Sequence, residues 1–486
     1  MLIWKKRNFN RRLYMFFVLL IMLTLLVFGV RAVSGTLITD YSDGEVLMLQ
    51  KSYQTGAVYD RNGVCLVKGA DKTVDKEGNG ENTGTDAETG TITENGLVWS
   101  SAQIKEDFED LLGMNISETM NSRFTIAGNA SVLFGTEDNR FSGNSLLTPF
   151  QARVGGSLQL TLDAATQEKI STLIKKYGYD SSNTYIVASN YTSGEILALH
   201  GKVFDTMLHP GSVEKILVAA AAMDVTKDVN LTEFTYNCDS GNHTFDLPKG
   251  KKFSVQCAGG AYHGNTGIAE AIKYSCNGYF INLLEKINKK KLLNKLGKMG
   301  IGESLHFQDM TFWDGRFIYK NSKKKDKSYL LASIGEADCY MTPFNVNFLT
   351  NAIFNHGLLV EPYEFIATQS RPGSEWEAKE HSYTKQVCSE AAADKVAELM
   401  GGVTKEGTLK NVEMNNWAGK TGTAQLAGED GNLNGLYSVW TTAAYLDSEK
   451  PYSITVCLDK VDESLTSVSA GLLARDILQY LVNKNI

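Results

Sequence analysis

Three short motifs lie far apart in this 486-residue chain and carry complementary chemistry: Ser212-Val-Glu-Lys215, Ser275-Cys-Asn277 and Lys420-Thr-Gly422. A fold that uses them must bring a helix start, a turn between helices and a strand to one point. No other feature of the sequence restricts the architecture as tightly. S-x-x-K, S-x-N and K-T-G in this order are the elements of serine acyl-transfer sites. None persuades alone. S-x-x-K recurs at Ser322–Lys325 and Ser382–Lys385, and S-x-N at Ser142–Asn144, Ser181–Asn183 and Ser240–Asn242. Context separates the set from these accidents. Ser212 follows Pro210-Gly211 and opens an apolar run from Ile216 to Met223, Ser275 falls between two helical stretches, and Lys420 sits in the only K-T-G.

The residue types suit one another. A serine hydroxyl is a poor nucleophile at neutral pH and needs a base within hydrogen-bond reach. Residues three apart share a helix face, so Lys215 can meet Ser212. Burial and a second cation, which Lys420 supplies, would free its amine of a proton. The helix start at Ser212 also favours developing negative charge. Ser275 can relay a proton, and the Asn277 amide can hold a peptide carbonyl. Lys420-Thr421-Gly422-Thr423 reads as an edge strand lining a cleft. Gly422 admits a ligand backbone closely, and Lys420 can attract a carboxylate. The backbone N–H groups of Ser212 and Thr423 would form an oxyanion hole, worth roughly 3–4 kcal/mol of barrier. Each residue also has an ordinary reading: Ser212 and Asn277 as helix caps, Lys420 as a solvated strand lysine. Their order and contexts favour the joint reading. Glu214 falls on another helix face and receives no catalytic role, and His263 is assigned to loop structure.

A net charge of −7 argues against nucleic acid as a partner. Positive charge gathers at the start, where Lys5, Lys6, Arg7, Arg11 and Arg12 precede an uncharged run from Leu13 to Val30. Eighteen helical residues rise about 27 Å, close to a bilayer core. The basic flank predicts an anchor at 13–33 with a cytoplasmic tail at 1–12 and the remainder outside the cytoplasm. A cleaved signal peptide, with Ala32-Val-Ser34 as the cleavage region, is the competing reading. The seven cysteines include no C-x-x-C pair and no Cys/His cluster with zinc spacing, so no metal site is expected. Cys238 and Cys257 flank a Gly-rich loop, and their pairing stays open.

Residues 34–155 read as a small N-terminal domain. Within it, 68–96 is too poor in apolar side chains to offset its ordering entropy and is taken as a flexible insertion. Gly56 to Gly63 predicts a strand entering an Asn-Gly turn, and Ile104 to Leu112 has helical spacing. From 156 to 486 the pattern is that of one α+β domain. Leu158–Leu162 alternates as a strand, Asp163 caps a helix from Ala164 to Tyr177, and strands are expected at Tyr185–Ala188 and Glu195–Leu199. The middle, Ser212 to about Leu296, reads as mainly helical. Three strands, Trp417–Leu426, Ser438–Leu446 and Tyr452–Leu458, precede a closing helix from Val468 to Val482. A sheet joining early and late strands with helices between them follows.

These motifs resemble the penicillin-binding proteins, and within them class B, the monofunctional peptidoglycan D,D-transpeptidases. The similarity runs from about Gly56 to the C-terminus, outside 68–96. It rests on Gly56-Ala-Val-Tyr-Asp-Arg-Asn-Gly63, Leu160-Thr-Leu-Asp163, Ser193-Gly-Glu-Ile-Leu-Ala198, His209-Pro-Gly-Ser-Val-Glu-Lys215, His263-Gly264 ahead of Ser275-Cys-Asn277, Thr342-Pro343 and Ala418-Gly-Lys-Thr-Gly-Thr-Ala-Gln425. The region before the catalytic domain is most similar to the penicillin-binding protein A type. The resemblance implies a serine β-lactamase-like α+β transpeptidase domain with an antiparallel sheet and a helical subdomain, behind a small N-terminal domain and one transmembrane helix. It further implies Ser212 as acylated nucleophile, Lys215 as base, Ser275 as relay, and Asn277 with Lys420, Thr421, Gly422 and Thr423 as substrate binders. Peptidoglycan stem peptides and β-lactam antibiotics are the implied ligands, a membrane-embedded glycan polymerase the implied partner, and no cofactor is implied. Two departures stand out. Glu214 places an anion beside the base, and Gly335-Glu-Ala-Asp338 replaces a Gly-Gln-Gly-like turn. A D,D-carboxypeptidase, which passes the same acyl group to water, and a catalytically weak scaffold or β-lactam-binding protein are the alternatives. A β-lactamase would require efficient deacylation, and the sequence offers no separate acidic residue in a recognisable loop to direct a water.

Overall fold

The computed structural model describes residues 58–67, 91–93, 96–98, 157–203, 206–226, 231–301, 305–306, 311–312, 316–317, 326–337, 339–363, 365–369, 374–378, 383–427 and 433–485. The anchor expected at 13–33, the helix expected at 104–112 and most of 34–155 lie outside these residues.

β1 (Val58–Tyr59) and β2 (Cys65–Val67) pair antiparallel around the expected turn. Asp60 builds that turn, its carboxylate accepting the N–H groups of Asn62 and Val64 at 2.8 Å each. β3 (Thr91–Thr93) and β4 (Gly96–Val98) form an antiparallel ribbon, so the end of the segment expected to lack structure is paired. β5 (Ser157–Leu160) runs parallel to β1. Residues 58–67 are thereby built into a sheet with strands from the region assigned to the catalytic domain. α1 (Ala164–Tyr177) begins where Asp163 accepts the Thr166 N–H at 3.0 Å, and it ends at left-handed Gly178.

β6 (Thr184–Asn190) and β7 (Ile196–His200) form an antiparallel hairpin. A short 3₁₀ turn, Gly211–Val213, leads into α2 (Glu214–Val225). The stretch that follows departs from the mainly helical expectation. β8 (Tyr236–Cys238) pairs with β11 (Gly264–Thr266), and β9 (Asn242–Leu247) with β10 (Lys251–Gln256). The physical reason is a period of two: His243 and Phe245 are buried between exposed neighbours, and Phe253 opposite Phe245 repeats the pattern. Helices resume as α3 (Ile268–Lys273), α4 (Asn277–Lys286) and α5 (Lys289–Met299).

Small strands follow: β12 (Leu305–His306), β13 (Thr311–Phe312) and β14 (Arg316–Phe317). After α6 (Lys327–Ala332) comes β15 (Cys339–Tyr340), paired with β14. α7 (Pro343–Phe354) is capped by Thr342, whose hydroxyl accepts the Asn345 N–H at 3.0 Å. β16 (Leu358–Val360), β17 (Phe365–Gln369), β18 (Trp376–Ala378) and β19 (Thr384–Gln386) lie between it and α8 (Glu390–Lys405). β17 pairs antiparallel with β5, giving a five-stranded sheet in the order β18-β17-β5-β1-β2. The chain closes with β20 (Trp417–Ala427), β21 (Leu433–Tyr445), β22 (Tyr452–Val461) and α9 (Ser467–Lys484).

The central sheet runs β20-β21-β22-β6-β7, antiparallel throughout, so early and late strands meet as expected. Helices cover both faces. Successive strand residues point to opposite sides: Thr441 donates to Ser467 O of α9 at 2.8 Å, while Thr442 donates to Thr350 Oγ1 of α7 at 3.2 Å. β20 is the edge strand, and its Lys420 lies opposite Thr442. Lys420 therefore projects to the α7 side, towards α2 and the motifs.

Candidate active site

The turn before α2 meets β20 backbone to backbone. An added Cβ on Gly422 would stand 2.7 Å from Pro210 O, and one on Gly211 2.7 Å from Thr423 O. Only glycines allow that approach. The Gly211 N–H donates to Gly335 O at 3.1 Å, and the Trp440 indole N–H donates to His209 O at 3.0 Å. Ser212 is thus fixed between the edge strand and the segment at 335.

The three motifs converge as the sequence predicts. Lys215 Nζ reaches Ser212 Oγ at 2.9 Å, Ser275 Oγ at 3.2 Å, Ser275 O at 2.7 Å and Asn277 Oδ1 at 2.6 Å. Lys420 Nζ approaches the same Ser275 Oγ at 3.0 Å and Thr421 O at 2.7 Å. Ser275 adopts φ of 61°, a left-handed conformation that a serine enters at a cost. That turn aims both its hydroxyl and its carbonyl at Lys215. The Asn277 amide N–H donates to Gln256 O at 2.7 Å, which fixes the orientation of its oxygen towards Lys215. Thr423 is exposed on the strand edge, and the Thr421 hydroxyl bonds that of Thr408 at 2.6 Å.

Four oxygens surround Lys215 Nζ. As a neutral amine it can donate to Ser275 O and Asn277 Oδ1 while accepting the Ser212 hydroxyl proton. The electrostatics move the amine towards that state. Both lysines are fully buried. Burial lowers the Lys215 amine to about 8. Burial, reinforced by Lys215, lowers Lys420 well below the usual lysine range.

Glu214 corrects one expectation. It is fully buried, its carboxyl oxygens have no hydrogen-bond partner among the described residues, and burial raises it well above the usual carboxyl range. Burial without a partner thus opposes the anion that the sequence placed beside the base. Glu336 is the residue that sequence reasoning missed. Burial raises its carboxyl to about 7, although the Gln425 N–H and the Lys215 charge favour ionisation. The altered turn was the only signal: it showed that this segment differs, without showing that it packs against Gly211. Asp338 lies outside the described residues.

The chain matches the penicillin-binding protein transpeptidase domain over residues 166–479 and belongs to that family. The class B resemblance read from its motifs is borne out. Stage V sporulation protein D of Bacillus subtilis (strain 168) is 27% identical over 302 residues, covering 56% of this chain and 44% of the relative. The chain thus spans less than half the length of that curated relative. Among solved structures, penicillin-binding protein 3 of Mycobacterium tuberculosis superposes with a TM-score of 0.64 at 17% identity, over 89% of this chain and 96% of that one. PBPA of the same organism gives 0.64 at 19% identity, over 89% and 99%. These likenesses establish the fold.

Proposed function

We propose that this protein is a membrane-anchored serine D,D-transpeptidase that cross-links peptidoglycan stem peptides through an acyl-Ser212 intermediate. One observation carries the reading: a buried lysine amine 2.9 Å from Ser212 Oγ and 3.2 Å from Ser275 Oγ, with a second buried lysine 3.0 Å from that same Ser275. Neutral Lys215 takes the Ser212 proton as Oγ attacks the penultimate D-Ala carbonyl. The N–H groups of Ser212 and Thr423 receive the developing oxyanion. The proton then passes by way of Ser275 to the leaving D-Ala amine, and the ester remains on Ser212. A stem-peptide amine attacks that ester, its proton returns to Ser212 Oγ, and a new amide forms. Asn277 and the Lys420–Thr423 strand hold the peptide, with Lys420 near its carboxylate.

β-Lactam binding follows from the same geometry, because a strained lactam carbonyl enters as the peptide does. The M. tuberculosis penicillin-binding protein 3 has been solved with aztreonam and with ampicillin. The anchor at 13–33 is supported by its sequence pattern; among the described residues no helix is long and apolar enough to cross a membrane. A glycan polymerase embedded in the same membrane is the expected partner.

The test is intact-mass analysis of the protein after incubation with a labelled penicillin, alongside Ser212→Ala. A single stable adduct, lost in the variant, is the expected result. Product analysis on a D-Ala-D-Ala stem peptide with an added amine then separates transfer from hydrolysis. Neither an adduct nor turnover would leave a non-catalytic scaffold in its place.

A further inference from the structure

Behind the Ser275–Asn277 turn lies a cluster that the acyl-transfer reading does not use. Cys238 at the end of β8, Cys257 just after β10, His263 before β11 and Cys276 at the start of α4 bring one potential ligand atom each within 4.8 Å of all the others. Cys257 Sγ stands 4.0 Å from Cys276 Sγ, and His263 Nδ1 stands 3.2 Å from Cys238 Sγ. The three cysteines are buried and free, and His263 is half-buried. A tetrahedral ion with bonds of about 2.3 Å to sulfur spaces its ligands by about 3.8 Å, the scale seen here. We propose that Cys238, Cys257, Cys276 and His263 Nδ1 bind one structural zinc ion.

The His263 N–H donates to the Cys238 carbonyl at 3.1 Å, which holds the imidazole beside the Cys238 sulfur. His243 forms an outer layer. Its Nδ1 lies 2.9 Å from the Tyr236 hydroxyl, and its Nε2 lies 3.3 Å from Cys257 Sγ and 3.6 Å from Cys238 Sγ. With the hydroxyl donating to Nδ1, the ring proton sits on Nε2 and points at sulfur, the orientation that steadies a metal-bound thiolate. Gly278 keeps this layer in contact with α4, since a Cβ there would meet the Tyr236 and His243 rings at 2.5 and 2.8 Å.

Soft thiolate and imidazole ligands in tetrahedral array select zinc, and four protein ligands leave no open position. The ion is therefore structural. Binding releases the three thiol protons to solvent and changes no oxidation state. It ties Cys238, Cys257 and His263 to Cys276, which sits between Ser275 and Asn277, and so fixes the left-handed turn that presents both to Lys215. Sequence spacing hides the site because no two ligands form a C-x-x-C or H-x-x-x-H pair. This inference does not depend on the acyl-transfer reading.

The full chain, prepared in reductant with zinc and freed of loose metal by gel filtration, should carry one zinc per chain by elemental analysis. X-ray absorption should show three sulfur and one nitrogen neighbour. Cobalt in place of zinc should give the visible bands of a tetrahedral thiolate site. Cys238→Ser combined with Cys257→Ser should lose the zinc, while Cys388→Ser should keep it. Since the double variant could fail to fold, the absorption spectrum of the unaltered protein stands as the independent measurement. The proposal is overturned if the reduced chain takes up no zinc, if its zinc shell lacks sulfur, or if peptide mapping of the freshly isolated chain finds Cys257 and Cys276 joined as a disulfide.

Discussion

Two buried polar clusters meet at the Ser275–Asn277 turn, and they are assembled in opposite ways. The Ser212–Lys215–Ser275–Lys420 cluster is made of short motifs, each with its own local geometry. Lys215 reaches Ser212 because the two stand three residues apart on a helical turn. The Cys238–Cys257–His263–Cys276 cluster has no such local logic. Cys238 and His263 are 25 residues apart, and Cys257 and Cys276 are 19 apart, joined only when β8, β10, β11 and α4 pack. Chemistry written in motifs can be read from a chain. Chemistry written in packing cannot. The two clusters should also fail differently when altered.

The largest expected effects fall on the catalytic cluster. Ser212→Ala should reduce acylation by a labelled penicillin by on the order of 10⁴-fold or more, as removal of a serine nucleophile does elsewhere. Lys215→Met should cost on the order of 10²–10⁴-fold, the usual worth of a positioned general base. Stopped-flow or quenched mass spectrometry gives both rates. Both variants should keep the zinc content of the unaltered protein. Loss of metal with Lys215 would merge the two clusters into one structural unit and break the distinction.

The pH profile sharpens it further. Acylation requires neutral Lys215, whose amine is lowered to about 8 by burial. Below that pH the neutral fraction falls tenfold per unit, so the rate should climb with pH and level off above about 8. A flat profile between pH 6 and 9 would remove Lys215 from the role of base. A third effect tests the frame that holds Ser212. Gly335 has φ of +73°, and a Cβ there would lie 2.0 Å from Gly211 O. Gly335→Ala should destabilise the fold by about 2–4 kcal/mol, seen as a fall in melting temperature. It should also slow acylation by moving the Gly211–Val213 turn.

Much of the fold was legible in particular residues. Asp163 fixed the start of α1, the segments 417–426, 438–446 and 452–458 marked three strands, and Asn62-Gly63 marked a turn. The β8–β11 region was read as helix because its strands are short. Its one-sided burial, Phe245 against Phe253, depends on pairing that only the fold supplies. Side-chain charge was the other gap. Spacing put Glu214 next to Lys215 along the chain, but only packing shows that its carboxyl is enclosed, which disfavours its ionised form.

That enclosure gives the smallest of the expected effects and the most diagnostic sign. Glu214 gains no hydrogen bond from the described residues, so folding strips its carboxyl of water without replacement. Burial raises its folded pKa well above the 4.5 of an ordinary glutamate. Below 4.5 both folded and unfolded states hold the proton, and ionisation contributes nothing. As pH rises past 4.5 the unfolded chain releases its proton and gains hydration, while the folded chain does not, so stability declines. Glu214→Met fills the same volume with no group to ionise. The variant should be more stable by on the order of 2 kcal/mol at pH 7, with the gain shrinking towards pH 4. Paired denaturation curves at the two pH values measure it. Acylation should be little changed, because Glu214 is not among the groups that bond Lys215. A variant that is stabilised yet cannot be acylated would show that the buried carboxyl serves the lysine after all, and would move it from the packing of α2 into the catalytic cluster.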